Sequence, residues 1–271
     1  MSLLARAAVA LARSGEGDAA ERMLAVAEPI ARAAPAGETD IALRHIATAL
    51  AELRRTNEAL RLLKDISDKT QHTPVLVAVV TQEARAGNAA TAHALAGTIG
   101  EAHHRAGALG PVAVAQRRAG DARAAAATLS VAVADLDRIA YPFAKSYALN
   151  RLALAQAEIA GQETDPAIRR DDLAKAVALA EQIGDDSLRA QALWTAAAVA
   201  DRHGVSDLAR EIEERADRAT GQIKSRLDQS WMLGDIALAH ARRGEKDAAK
   251  IAFRRGLDIA AGINNAWGRA R

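Results

Sequence analysis

The chain reads as an all-α solenoid of about seven helix-turn-helix units, and three observations predict it. Half of its 271 residues are hydrophobic but only seven are aromatic, so the apolar material is mostly alanine, leucine and valine. Alanine is the strongest helix former, and β-branched runs are rare outside Val75 to Val80. The third observation is a recurring unit, seen whole in LGDIALAHARRGEKDAAKIAFRRG from Leu233 to Gly256. Leu233 stands eleven positions before Gly244, and Ile236-Ala237 eight and seven before, which is one stripe of a 3.6-residue helix. Ala249 follows five after, Phe253 nine after and Gly256 twelve after. The spacing predicts that the small residues let two helices approach closely while Phe253 fills the gap between them.

Turn anchors at Gly15, Arg54, Gly87, Gly120, Ala160, Gly204 and Gly244 bring the rest of the chain into that register. Eleven residues upstream stand Leu4, Leu43, Leu76, Leu109, Leu149, Leu193 and Leu233. Five downstream stand Ala20, Ala59, Ala92, Ala125, Ala209 and Ala249, with the fifth unit alone lacking its small residue. A single helix hairpin cannot bury its apolar face, so such units must stack in threes or more.

Leu43-x-x-Ile46-Ala47 followed by Asn57-Glu58-Ala59-Leu60 resembles the tetratricopeptide repeat, whose unit is about 34 residues. The resemblance covers nearly the whole chain. Anchor spacings of 39, 33, 33, 40, 44 and 40 give most units extra residues, and first-helix positions that are aromatic in the family are mostly leucine or alanine here. The resemblance implies one right-handed superhelical domain over 1–271, with units near 2–34, 40–68, 73–100, 105–138, 142–183, 186–220 and 225–262. Residues 264–271 then open a further helix, either cut short or capping the stack, and the cut is the favoured reading.

In chain order, Pro35, Gly37 and Thr39-Asp40 predict a turn and cap before the second unit. Thr73 is expected to cap the third, with Pro74 in its first turn. Gly107 to Pro111 predicts a broken, soft entry to the fourth. In the fifth, Thr164 or Asp165 caps a long second helix from Pro166 to Ile183, ended by Gly184. Unit six is expected over 186–219 and unit seven over 225–261. The N-terminal stretch, acid-free until Glu16, has the look of a transit peptide, but Leu4, Ala8 and Gly15 already fit the first repeat.

Composition excludes several classes. There are no cysteines, hence no disulfide, thiolate metal site or cysteine nucleophile. Lys+Arg 36 against Asp+Glu 34 leaves a net charge of +2, too little field to argue for nucleic acid. No run of 18 apolar residues predicts a membrane span. His103-His104 are neighbours and point about 100° apart on a helix, not at one ion. His240 reads as a hydrogen-bonded core histidine. Asp171-Asp172 and Glu213-Glu214 read as solvated faces. Phosphate loops, zinc spacings and G-x-S-x-G are absent from the sequence, so neither cofactor, metal nor enzymatic activity is expected.

The resemblance implies that first helices line a groove, with exposed positions about 13, 10 and two residues before each anchor. The first gives Tyr147, Gln191 and Trp231, and the second Arg44, Asn150 and Trp194. The third gives Arg13, Glu52, Arg85, Arg118, Glu158, Arg202 and Arg242. Two readings of the arginines stay open: cations at helix C-termini, or a basic stripe for acidic peptide groups. The aromatics likewise either anchor a partner or fill gaps between repeats. The family's carboxylate-clamping Lys, Asn and Arg set is not present at matching positions. The expected function is a non-catalytic scaffold binding a protein or peptide. The alternative is a sensor or regulatory arm of a larger signalling or transcription-regulatory protein. End-to-end stacking is the expected route to a homo-oligomer, and the cytoplasm the expected compartment unless the chain is trimmed from an exported protein.

Overall fold

A helix that ends inside a protein leaves its last carbonyls without intrahelical donors. The computed structural model, which describes residues 2–35 and 37–264, shows six of the seven predicted anchors meeting this need in one way. Gly15, Arg54, Gly87, Gly120, Gly204 and Gly244 all carry positive φ, from 62° at Arg54 to 91° at Gly15. At each, the anchor N–H bonds three residues back and the next N–H bonds five back. Gly120 N–H reaches Arg117 O and Asp121 N–H reaches Gln116 O, both at 3.0 Å. This is the Schellman closure, with the left-handed residue just past the helix end. At Arg54 a Cβ occupies that conformation, which costs about 1–2 kcal/mol relative to glycine.

Ala160 is not a turn. The helix there runs on to Gln162, and Glu163 accepts from the Thr164 and Asp165 amides before Asp165 caps the next helix through Ala167 and Ile168 N–H. With a Cβ at 160 and no left-handed residue, the chain leaves in extended conformation instead.

The chain divides into two compact units, Met1–Arg138 and Ile139–Arg271. The first holds α1 (Ser2–Arg13), α2 (Gly17–Arg32), α3 (Thr39–Glu52), α4 (Thr56–Asp65), α5 (His72–Arg85), α6 (Ala89–Ala96), α7 (Ala102–Arg118) and α8 (Ala122–Asp135). The second holds α9 (Pro142–Gln162), α10 (Pro166–Glu181), α11 (Asp186–Arg202), α12 (Ser206–Gln222), α13 (Arg226–Arg242) and α14 (Lys246–Ala261). Everything regular among the described residues is helical. Odd- and even-numbered neighbours form hairpins. Within each unit, every first helix also packs on the first helix of the next hairpin, and that helix touches the preceding second helix.

The leucine column is the seam: Leu43, Leu76, Leu109, Leu149, Leu193 and Leu233 are buried, and Leu4 is partly so. Each buried leucine contributes about 1.5–3 kcal/mol of transfer free energy. Ala20, Ala59, Ala92, Ala125 and Ala209 are buried opposite, and Ala249 is half-buried. Gly256 does let its helices close: a Cβ there would stand 3.3 Å from Leu233 Cβ. Phe253 does not fill that gap, being 57% exposed. Its neighbour Ala252 faces the core, as Leu62 and Ile212 do at the same place, eight residues past the turn.

Linkers share a device that the sequence reading passed over. A buried isoleucine closes the second helix, and a polar side chain six residues later caps its carbonyl. His72 bonds Ile66 O at 2.9 Å, Arg105 donates to Ile99 O at 2.9 Å and Arg189 to Ile183 O at 2.9 Å. Arg105 also forms a fork on buried Asp135, at 2.6 and 2.7 Å.

Several expected caps are displaced. Thr39 donates to Ala34 O, and Asp40 accepts from Asp68 N–H. Asp68 opens the 3₁₀ turn Lys69–Gln71 that starts α5 ahead of Thr73, leaving Thr73 to bond Glu101 at 2.5 Å. Far from being a soft entry, Gly107 to Pro111 lies within α7. Pro111 costs an isolated helix about 3 kcal/mol, and burial from Ala106 to Gly110 and Val112 to Ala115 offsets it. Asp165, Pro166, Asp186, Ser225 and Ala261 fall where the sequence places helix ends, while α10 stops at Glu181, short of Ile183. From residue 265 on, the expected further helix lies outside the described residues.

Replacing Arg54 by glycine should raise thermal stability by about 1 kcal/mol, since the left-handed strain is relieved; a lowered melting temperature would contradict the turn assignment. In the second unit, the Arg170 guanidinium lies 2.6 Å from Asp207 and holds that carboxyl at about 2, against an ordinary 3.8. The pair therefore stabilises the fold above the ordinary aspartate range and loses this as pH falls through about 2. Carboxyl NMR should show Asp207 titrating there, and returning toward 3.8 in Arg170→Ala; an unmoved midpoint would refute the assigned cause.

Candidate functional site on the first helices

In the first unit, α1 and α3 flank a cavity of about 720 Å³. Helical periodicity explains its lining. Arg6, Val9-Ala10 and Arg13 form an i, i+3/i+4, i+7 stripe on α1; His45, Thr48-Ala49 and Glu52 form the matching stripe on α3. Both stripes occupy the same offsets, nine, six, five and two residues before the turn. The small side chains of Ala10 and Ala49 leave the space between the helices open, and polar groups ring it. Arg13 donates to Glu52 at 3.1 Å across the gap. Thr48 bonds Arg44 O at 2.8 Å, and Arg44 donates to His45 Nε2 at 3.0 Å. Burial, then the Arg44 charge, lowers the His45 pKa.

Of the positions two before each turn, Arg13 and Glu52 therefore border the cavity in this pair of helices. Farther along the same unit, Arg85 and Arg118 lie exposed at the ends of α5 and α7. In the second unit Arg202 and Arg242 end α11 and α13, both exposed. Each sits in the last turn of its helix, where the negative end of the dipole favours a cation by about 0.3–1 kcal/mol.

The positions placed 13 and 10 residues before the turn fare differently. Tyr147 and Trp231 are exposed. Asn150 is not a groove residue: it is 3% exposed, and its amide donates to Leu188 O at 2.9 Å and Gln191 Oε1 at 3.2 Å, tying α9 to α11. Trp194 is half-buried, donating to Thr220 at 3.1 Å with its ring edge-to-face with His240 at 6.0 Å. These two belong to the contacts between hairpins. Trp231 instead borders a second cavity of about 560 Å³, with Ser230, Gly234, Asp235, Phe253 and Leu257.

The remaining polar groups are structural. His240 is bonded as expected, to Glu245 at 2.5 Å and Arg243 at 2.8 Å. Arg243 reaches Glu213 at 3.2 Å and Asp201 at 3.5 Å, joining three helices of the unit. Neither acid pair is simply solvated: Asp172 is buried on Gln156 at 3.0 Å, and Glu213 takes Arg243. The rings of His103 and His104 meet at 3.9 Å in a contact tilted by 39° rather than diverging. Among the described residues no three His, Asp or Glu side chains converge as a metal site.

Sequence reasoning missed Arg6, His45 and Thr48. The signal was available, since seven residues back from Arg13 and Glu52, two helical turns, stand Arg6 and His45.

Asn150→Ala should lower unfolding free energy by roughly 1–3 kcal/mol by removing buried bonds, while Tyr147→Ala should stay within about 0.5 kcal/mol. Denaturant midpoints check both, and equal effects would contradict the contrast in burial.

Comparison with protein-family models gives no match, and comparison with curated proteins gives none.

Proposed function

We propose that the chain is a non-catalytic interaction scaffold whose first helices receive a peptide or partner segment. The observation that carries this is the in-register pair of stripes on α1 and α3, with an alanine-floored cavity of about 720 Å³ between polar rims. A groove of that kind accepts backbone and side chains of an extended segment without prior rearrangement. The resemblance to tetratricopeptide repeats, and the finer fold it implies, a right-handed solenoid of about seven repeats, belong to the same proposal. Hairpins packed through their first helices support it.

Selection of a random peptide library on the immobilised full chain tests the proposal. Enriched peptides should lose about tenfold or more in affinity on Ala10→Trp, which fills the first cavity from an exposed position, or on Tyr147→Ala with Trp231→Ala in the second unit. No enrichment over bare matrix, or peptides indifferent to all of these variants, would reject the scaffold reading.

A further inference from the structure

The donors and acceptors around the α1–α3 cavity are unequal. Arg6 and Arg13 each bring a guanidinium, which only donates. Arg44 also only donates, so His45 Nε2 is the acceptor in their 3.0 Å contact and the neutral ring carries its proton on Nδ1. Nδ1 has no acceptor among the described residues and remains a donor. The hydroxyls of Ser14 and Thr48 give their hydrogens to Leu11 O and Arg44 O, each at 2.8 Å, which leaves their oxygens as uncharged acceptors. The charge is what is uneven: against the two guanidiniums the lining sets one carboxylate, Glu52, already held by Arg13 at 3.1 Å. With Arg13 76% exposed, that pair is of the surface kind, which contributes little to stability.

We infer that this cavity binds an acidic peptide, and that Glu52 occupies, in the unliganded protein, the place of the incoming carboxylate on Arg13. The inference rests on the peptide-binding reading above and adds the charge and spacing of the ligand. Arg6 and Arg13 are seven residues apart, about 10 Å of helix rise. Three residues of polyproline II chain span about 9 Å and, at three residues per turn, bring positions i and i+3 to the same side. An acidic residue followed by another three positions later therefore meets both guanidiniums from a polyproline II segment running along α1. The guanidinium fork and the carboxylate are matched in geometry as well as charge.

The probe is a fluorescein-labelled eight-residue alanine peptide with glutamate at its third and sixth positions, compared with the same peptide carrying glutamine. Anisotropy titrations on the full chain at low salt should show the acidic peptide binding at least about tenfold tighter, with the difference shrinking as ionic strength rises. Arg6→Ala with Arg13→Ala should abolish the difference, and circular dichroism should show an unchanged helix content, since both side chains are exposed. Glu52→Gln should tighten the acidic peptide several-fold and leave the glutamine peptide unchanged. Equal binding of the two peptides, indifference to the arginine variant, or weaker acidic binding in Glu52→Gln would each overturn the inference. Peptides that bind equally yet are lost in Ala10→Trp would leave the scaffold reading standing and remove only the acidic assignment. Failure of both peptides together with an empty library selection would remove both readings. Tighter binding of oligouridine, lost in the same arginine variant, would reassign the cavity to nucleic acid.

Discussion

The structure depends on how each first helix disposes of its terminal carbonyls. A left-handed residue bends the chain back within two positions, so its own N–H and that of the next residue reach carbonyls three and five residues back from each. That closure has little freedom, and the second helix must return along the first. The leucine eleven positions before the bend then lies opposite the alanine five positions after it, and the hairpin closes on small side chains. A hairpin so thin has one seam and two faces. Both faces are used where a hairpin has neighbours, as α3 packs on α1 and on α5, and the α1–α3 cavity lies along the line where two first helices meet.

The excess of arginine over lysine follows from this layout. Second helices within a unit are not closely packed on one another, and arginines reach between them. Arg32 reaches both Glu28 and Asp65, Arg61 reaches Glu28, and in the other unit Arg255 reaches Asp217 at 2.7 Å. Others cap linker carbonyls or, like Arg243, hold several carboxylates at once. A planar fork with five donors suits such multiple contacts, where an ammonium would satisfy fewer of them in fixed geometry. The arginines at the first-helix ends are a separate set. Helix-dipole stabilisation and a role in recognition are not rivals there, because a cation favoured by the helix end still presents its donors outward.

Legibility followed the physics of each feature. Glycine at a left-handed position leaves a mark in sequence because few other residues tolerate it. Arg54 carries no such mark and was found only through the leucine and alanine columns around it. Phe253 was misread because helical phase is unforgiving: one residue is about 100°, enough to exchange the core-facing Ala252 for a solvent-facing neighbour. Asn150 and Trp194 were misread for another reason. The offsets borrowed from the resembling family mark, in this chain, the contact between consecutive first helices, where a polar side chain is drawn inward to satisfy carbonyls such as Leu188 O. The linker caps went unnoticed because one is a histidine, His72, and the other two, Arg105 and Arg189, are arginines in a chain rich in arginine. What they share is a distance from a buried isoleucine.

That distance also accounts for the irregular repeat length. From Ile66, Ile99, Ile183 and Ile223 to the next turn residue is 21 positions every time, so linker, cap and first helix form a constant frame. The variable part is the second helix, 10 residues in α4, eight in α6, and 16 and 17 in α10 and α12. From the turn to the closing isoleucine is 12 positions after Arg54 and Gly87, but 19 after Gly204 and Gly244. The difference of seven is about two helical turns, which returns the same face of the longer helix to the seam. Lengthening by any number far from a multiple of the turn would rotate the isoleucine out of the core. The first helix that follows each of these four isoleucines thus keeps its register whatever the length of the second helix before it.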